Sequence, residues 1–431
     1  MWRVKRPDTT EPAEPGLTGS LQAARTSWVQ LGVICLSELA IWTSFSAIMP
    51  YLPLFLQKEG HSSVVMIGVI AAAFYLGTIL SSSLFGWLSD LAGRKPMMIT
   101  GMSLLAVSSF LFTRTVDPQW FLLFRLLEGI SASAGGVMLA FVADISAPTQ
   151  RSRALGLVMS AQFGGAIVGP ALGAAIYYAS GGGRLGFHAI FYFGSALAAV
   201  TAVVMAFLIR EPTATGRRKA VRTERERRPS YREVLRPAIV GFLVVGFAAN
   251  FAFGGFEVIW SIWLARLGAS MSMISAMWIA MSVPMLLSFV GGILADRYSR
   301  FVFMFAGNGI ATLGFVIIGV TRGLALYLVV VVVQGLAFAL AAPAKQGFLV
   351  QASPSLWIGV VQGLDSTSMQ LGGLVGTLLI PALYNAITGY AIVVCGAVFL
   401  TGLALAAPVL GRESKRLGHA HATRGASATG S

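Results

Sequence analysis

Long apolar runs separated by short polar clusters set the rhythm of the chain. They predict twelve helices, over roughly 28–56, 62–89, 96–113, 119–143, 153–180, 187–209, 238–265, 271–294, 301–321, 324–347, 356–384 and 387–410. Each is close to or above the roughly 20 residues that cross a bilayer as a helix. Helix is forced on such runs, because lipid cannot satisfy open backbone groups. The ten-residue alternation of a membrane barrel is absent. The run from Trp28 to Leu56 is too long for the core of a signal peptide and holds Glu38. It reads as a retained first span.

Composition agrees with the pattern. Hydrophobic residues make up 56% of the 431, and charged residues 11%, against roughly 25% in soluble domains. The mean hydropathy is +0.77. These values exclude a soluble enzyme, a nucleic-acid-binding domain and a disordered scaffold. The net charge of +14 then has to be read by position. With both termini inside, 24 of the 31 basic residues fall in inner segments and five in outer loops. That is the positive-inside bias, so anionic headgroups suffice as the counterpart and no nucleic-acid partner is implied. Trp2, Trp28, Tyr51 and Trp120 suit anchoring at the membrane interfaces. Cys35 and Cys395 lie in apolar runs and form no metal or redox spacing.

The polar stretch 210–237, with ten basic residues, divides the chain. A tail (1–27) and a first six-helix bundle (28–209) precede this linker. A second bundle (238–410) and a tail (411–431) follow it. The bundles repeat. Gly86, Leu88, Asp90 and Arg94 recur 206 positions later as Gly292, Leu294, Asp296 and Arg300. Glu128-Gly129 recurs as Gln334-Gly335, and Gly156, Gly165 and Gly169 recur 207 later as Gly363, Gly372 and Gly376. The expected fold is an all-α membrane protein of two pseudo-symmetric six-helix bundles. Such repeats place a substrate site at their interface and work by rocking.

Three motifs narrow the class. The loop after the second span reads Gly86-Trp-Leu-Ser-Asp90-Leu-Ala-Gly93-Arg94-Lys95. The fourth span holds Arg125-Leu-Leu-Glu128-Gly129. The fifth holds Gly156, Gly165, Gly169, Pro170 and Gly173. Together they resemble the major facilitator superfamily across essentially the whole chain. The glycine pattern is similar to that of its drug:proton antiporters with twelve spans. Leu91 stands where that family has an arginine, and Glu128 where it has glutamine. The resemblance implies that Gly86, Asp90, Gly93, Arg94, Asp144, Asp296 and Arg297 form a cytoplasmic gate. It implies that span 5 packs on span 8 through its glycine face, where Pro170 invites a kink. Arg153 and Arg300 read as charges that fix topology. A carboxylate at Asp90 or Asp296 suits the free N–H groups of a helix start.

Ionisable groups inside spans are functional candidates by default. Here they are Glu38, Arg125, Glu128, Glu257 and Asp365. Arg125 and Glu128 share a helix face at i, i+3. Desolvation favours the neutral form of a carboxyl group, so such groups can load and release protons. Glu38 and Glu128 are the expected coupling pair, with Arg125 as modulator and with Glu257 and Asp365 shaping the C-half of the cavity. Trp42, Phe45, Gln162, Asn250, Phe253, Trp260, Asn308 and Gln334 are expected to line it. Met273, Met277, Met281 and Met285 form a stripe on span 8 that reads as packing.

The expected activity is proton-coupled export of amphipathic small molecules by alternating access. A proton symporter, or a dedicated exporter of a sugar, peptide, lipid or siderophore, is the alternative within the fold. A transporter-like receptor or polytopic membrane enzyme is the alternative outside it. No catalytic or metal spacing is visible, so no enzyme activity and no cofactor beyond the proton gradient are expected. The expected setting is the inner membrane, with cytoplasmic termini, lipid contacts and a monomeric chain.

Overall fold

The computed structural model describes residues 17–147, 150–211, 234–354 and 357–428. Among these, all regular structure is helical. Span 1 comprises Leu17–Ile48 and, after a turn, Leu52–Lys58; span 2 is Val64–Ala92 and span 3 is Arg94–Leu111. Span 4 comprises Pro118–Ala132 and Ala134–Ile145, span 5 is Arg151–Ala179 and span 6 is Gly183–Leu208. In the second half, span 7 is Pro237–Arg266. Span 8 comprises Met271–Ser282, a 3-10 turn at Val283–Leu287 and Ser288–Arg297. Spans 9 to 12 are Arg300–Val320, Leu324–Ala352, Ile358–Ile387 and Tyr390–Ala428.

Local chemistry sets the starts. Ser63, Asp117, Ser270 and Ser299 each accept a bond from a backbone N–H of the first turn they precede, which satisfies groups a helix leaves open. Pro118 follows Asp117 at the first turn, where its missing N–H costs nothing. Pro53 and Pro284 sit where spans 1 and 8 restart or tighten.

Among the described residues, eleven of the spans are long and apolar enough to cross a membrane. Span 3, at 18 residues, opens on Arg94 and Lys95, which lowers its average. The helix of span 1 begins at Leu17, ahead of the membrane-length run Trp28–Lys58, and the helix of span 12 runs to Ala428, past the run Tyr390–Leu417. Residues 17–25 are mostly good helix formers, a preference hydropathy does not register. Trp2 and most of the basic linker (212–233) lie outside the described residues.

Spans 1 and 5, 2 and 4, and 3 and 6 pack together in the first half. Spans 7 and 11, 9 and 10, and 7 and 12 do so in the second. The halves meet through spans 2 and 11 and through spans 5 and 8. The contacts lie toward one end of the bundle, the end holding the turns at 59–63 and 267–270. There Ser272 N donates to Tyr178 Oη at 3.3 Å. Tyr51 bonds Ser275, and a side chain at Gly68 would strike Thr377 and Pro381. Tyr51 is therefore buried, with 0% exposure. It joins spans 1 and 8, where an interfacial anchor was expected.

The glycine face of span 5 also departs from expectation. Gly165, Gly169 and Gly173 lie on span 1, against Leu39, Thr43, Ser46, Ala47 and Tyr51. Span 5 reaches span 8 elsewhere, through Tyr178. The reason is steric: a Cβ at Gly169 would land on Ser46 Oγ and the Thr43 carbonyl, so these glycines bring two backbones together. Gly169→Ala is expected to push the helices apart at a cost of about 1–3 kcal/mol. Thermal unfolding in detergent would check this, with Gly156→Ala as the control. No atom lies near a Cβ at Gly156.

Candidate functional site

Among the described residues, three groups of largely buried ionisable side chains lie inside the bundle. The first sits where the glycine contact brings spans 1 and 5 face to face. Gln162 Nε2 donates to Glu38 Oε2 at 3.1 Å. Glu38 is 1% exposed, and its other carboxyl oxygen has no partner among the described residues.

The second crosses between the halves. One helical turn separates Arg125 from Glu128, and Arg125 Nη1 donates to Glu128 Oε2 at 2.7 Å. Both are buried. The guanidinium lies over the Phe74 ring, 5.1 Å from its centroid. Arg125 Nε and Glu128 Oε1 have no hydrogen-bond partner among the described residues. From span 7, Glu257 Oε2 accepts from Tyr75 Oη at 3.4 Å. Glu257 and Arg125 line one small cavity with Met49, Ile67 and Val258, with room for about one water molecule. Glu257 thus faces the first half across the junction.

The third group belongs to the second half alone. Lys345 Nζ donates to both oxygens of Asp365, each at 2.8 Å, joining spans 10 and 11. Asp365 is thus held by Lys345 within the second half, while Glu257 meets Tyr75 of the first.

Aromatic rings connect the first two groups. Trp42 meets Phe45 edge-on at 6.1 Å, Phe45 meets Phe74 at 5.6 Å, and Phe74 meets Tyr75 at 5.6 Å. Trp42 is 38% exposed. A flat, amphipathic molecule finds stacking faces here between a carboxyl group and a charged cluster. Asn250 and Phe253 lie half-buried on span 7. Trp260 stacks on Phe256 at 4.8 Å, deep in the second bundle. Gln334 donates to the Ala311 carbonyl at 2.9 Å, tying span 10 to span 9, and Asn308 is buried nearby on span 9. These last three pack their own half. In the methionine stripe, Met277 and Met281 are buried.

The loop motif forms its own network. Arg94 pairs with Asp90 at 3.1 Å and Asp144 at 3.4 Å, and bonds Ser89. The start of span 3 is capped by Glu211, which accepts from the N–H groups of Arg94 at 2.7 Å and Lys95 at 2.8 Å. Asp90 was the expected cap. Gly93 has φ +104°, and a Cβ there would press on the Glu211 carboxyl, so glycine is needed twice over. Gly86 is unencumbered. In the second copy, Arg300 pairs with Asp296 at 2.7 Å and donates to the Gly347 carbonyl at 2.9 Å and to Gln351 Oε1 at 3.2 Å. It does more than fix topology. Arg297 lies over the Tyr298 ring at 5.7 Å.

Sequence reasoning missed Phe74, Tyr75, Glu211, Ser275 and Lys345. Lys345 carried a usable signal, as a cation in an apolar run. Glu211 carried none, because its role depends on where span 6 ends beside span 3.

Two repeated bundles of membrane-length helices, joined around buried charges, define a multi-pass membrane transporter fold. The chain belongs to the Major Facilitator Superfamily, whose family model matches residues 34–377 and again 267–429. Among its relatives is Multidrug resistance protein 2 of Bacillus subtilis (strain 168), 28% identical over 388 residues, covering 86% of this chain and 93% of that one. Another is the class C tetracycline resistance protein of Escherichia coli, 27% identical over 83% of this chain and 89% of that one. The crystal structure of a D-xylose-proton symporter shares the fold, with a TM-score of 0.72, 15% identity, and coverage of 88% and 97%.

Proposed function

We propose that the chain exports amphipathic small molecules in exchange for protons, as a monomer in the inner membrane with both termini cytoplasmic. The observation that carries this reading is the pair of buried acidic sites joined by an aromatic wall: Glu38 with Gln162, and Arg125–Glu128 with Glu257 and Tyr75. The names of the multidrug and tetracycline resistance relatives support it. With the basic end inside, the contacts at Tyr51–Ser275, Tyr178–Ser272 and Tyr75–Glu257 close the outer side.

In this state substrate enters from the cytoplasm and lies along Trp42, Phe45 and Phe74. Its polar or cationic group displaces a proton from Glu38. Rocking then breaks the tyrosine contacts and brings together the inner ends, where the Asp90–Arg94–Asp144 network forms the gate. On the outer side a proton reloads the carboxyl group and releases the substrate. Arg125 tunes Glu128 and Glu257 by proximity. The proton gradient is the energy source.

Purified protein in vesicles tests this. An imposed proton gradient is expected to drive a fluorescent amphipathic amine against its own gradient, and dissipating the proton gradient should stop it. Flux that ignores the proton gradient would defeat the proposal.

A further inference from the structure

The repeat places the third ionic group opposite the first. Gly165 and Gly169 of span 5 rest on the carbonyls of Leu39 and Thr43, while Gly372 and Gly376 of span 11 rest on those of Phe247 and Phe251. Spans 1 and 7 are therefore related by 208 positions, and spans 5 and 11 by 207. Under this relation Glu38 corresponds to Gly246 and Gln162 to Met369. The second half lacks the glutamate, yet the place is not empty. A Cβ at Gly246 would meet Asp365 Oδ1 at 2.9 Å, Lys345 Nζ at 3.1 Å and Met369 Cγ at 3.1 Å. Asp365 and Lys345 have moved a charged pair into the position of the missing side chain.

Beyond its mutual bonds this pair has only one weak contact among the described residues. The ammonium has three donors. Two bonds go to Asp365, and among the described residues its third acceptor is Met369 Sδ at 3.6 Å, a weak one. Asp365 accepts from Lys345 alone among the described residues, although a carboxylate has about four acceptor sites. The side chains are 14% and 7% exposed, so the aspartate is buried and the lysine is the more open of the two. A buried pair of this kind is weak evidence for stability, since apolar residues often serve as well.

We infer that Lys345 and Asp365 form a second binding site, where the Lys345 ammonium takes the carboxylate of a zwitterionic amphiphile and Asp365 takes its ammonium. The inference rests on the exporter reading and deepens it. The first half offers a carboxyl group with a neutral partner, suited to a proton or a cation. The second half offers both signs of charge, suited to a substrate carrying both.

Equilibrium binding in nanodiscs, with no gradient, tests it. The probes are ciprofloxacin, which carries an ammonium and a carboxylate, and tetraphenylphosphonium, a permanent cation with no acidic group. Lys345→Gln is expected to weaken ciprofloxacin binding about tenfold or more, the loss of a charge-assisted bond, and to leave the phosphonium within about twofold. Lys345→Arg should keep most ciprofloxacin binding. The apolar pair Lys345→Met/Asp365→Leu should melt like the wild type and lose ciprofloxacin selectively. Wild-type protein that does not bind ciprofloxacin overturns the inference. So do folded variants that bind both probes as the wild type does, or that lose both equally. Absent gradient-driven flux in vesicles, with the binding pattern intact, would overturn the exporter reading instead.

Discussion

Glu38→Gln reconstituted in vesicles is expected to lose gradient-driven flux down to the level of empty vesicles, yet still to exchange labelled for unlabelled substrate. The substitution keeps the size and hydrogen-bonding shape of the side chain, and an amide at this position can still meet Gln162. What it removes is the ability to take up and release a proton. Glu38 is buried, and its carboxyl group meets the Gln162 amide and the Trp42 indole, both neutral groups. Once water is excluded, a proton or a cationic substrate is what balances its charge. Exchange requires rocking and substrate binding but no net proton movement, so it should survive. If the variant still concentrates substrate under a proton gradient, Glu38 is not the carrier. If exchange is lost as well, Glu38 serves binding or folding. Glu38→Asp should fall between, since the carboxyl group is kept but drawn back from Gln162.

The spans and their pairing into halves were legible because lipid imposes a simple rule: long apolar helices, with charge left at the ends. Single charged residues inside those runs pointed to the three ionic groups for the same reason. Partners were harder to see. Tyr75 and Phe74 sit in an ordinary apolar span, and their meeting with Glu257 and Arg125 depends on how two bundles lean together. The glycine face of span 5 announced a close helix contact, but small residues do not name the helix they accept. Span 1 presents Thr43, Ser46 and Ala47 to it, residues small enough to complete the contact. Gln334 read as a polar cavity residue, whereas its amide ties span 10 to the span 9 backbone. A polar side chain in a span has to find a partner, and a neighbouring carbonyl serves as well as a substrate.

Arg125→Met should be the most disruptive single change in the central cluster. It removes the cation held at 2.7 Å from Glu128 and leaves a buried carboxylate unpaired. Breaking a buried pair in this way costs about 3–5 kcal/mol, read as a lower melting midpoint in detergent. Arg125→Met/Glu128→Leu removes both charges and should recover most of that stability, because the cost lies in the unpaired ion. Flux should not return. Arg125 also shares the cavity of Glu257, and Glu257 meets Tyr75 across the halves. The double variant therefore keeps the packing of span 4 while stripping the junction of its cation. A single variant as stable as the wild type would show that Glu128 is held by something other than Arg125. Recovery of both stability and flux in the double variant would make the pair a structural strut and leave Glu38 to carry the coupling. Stability without flux is the result expected of an arginine whose charge is used at the junction, where the two halves part and meet again in each cycle.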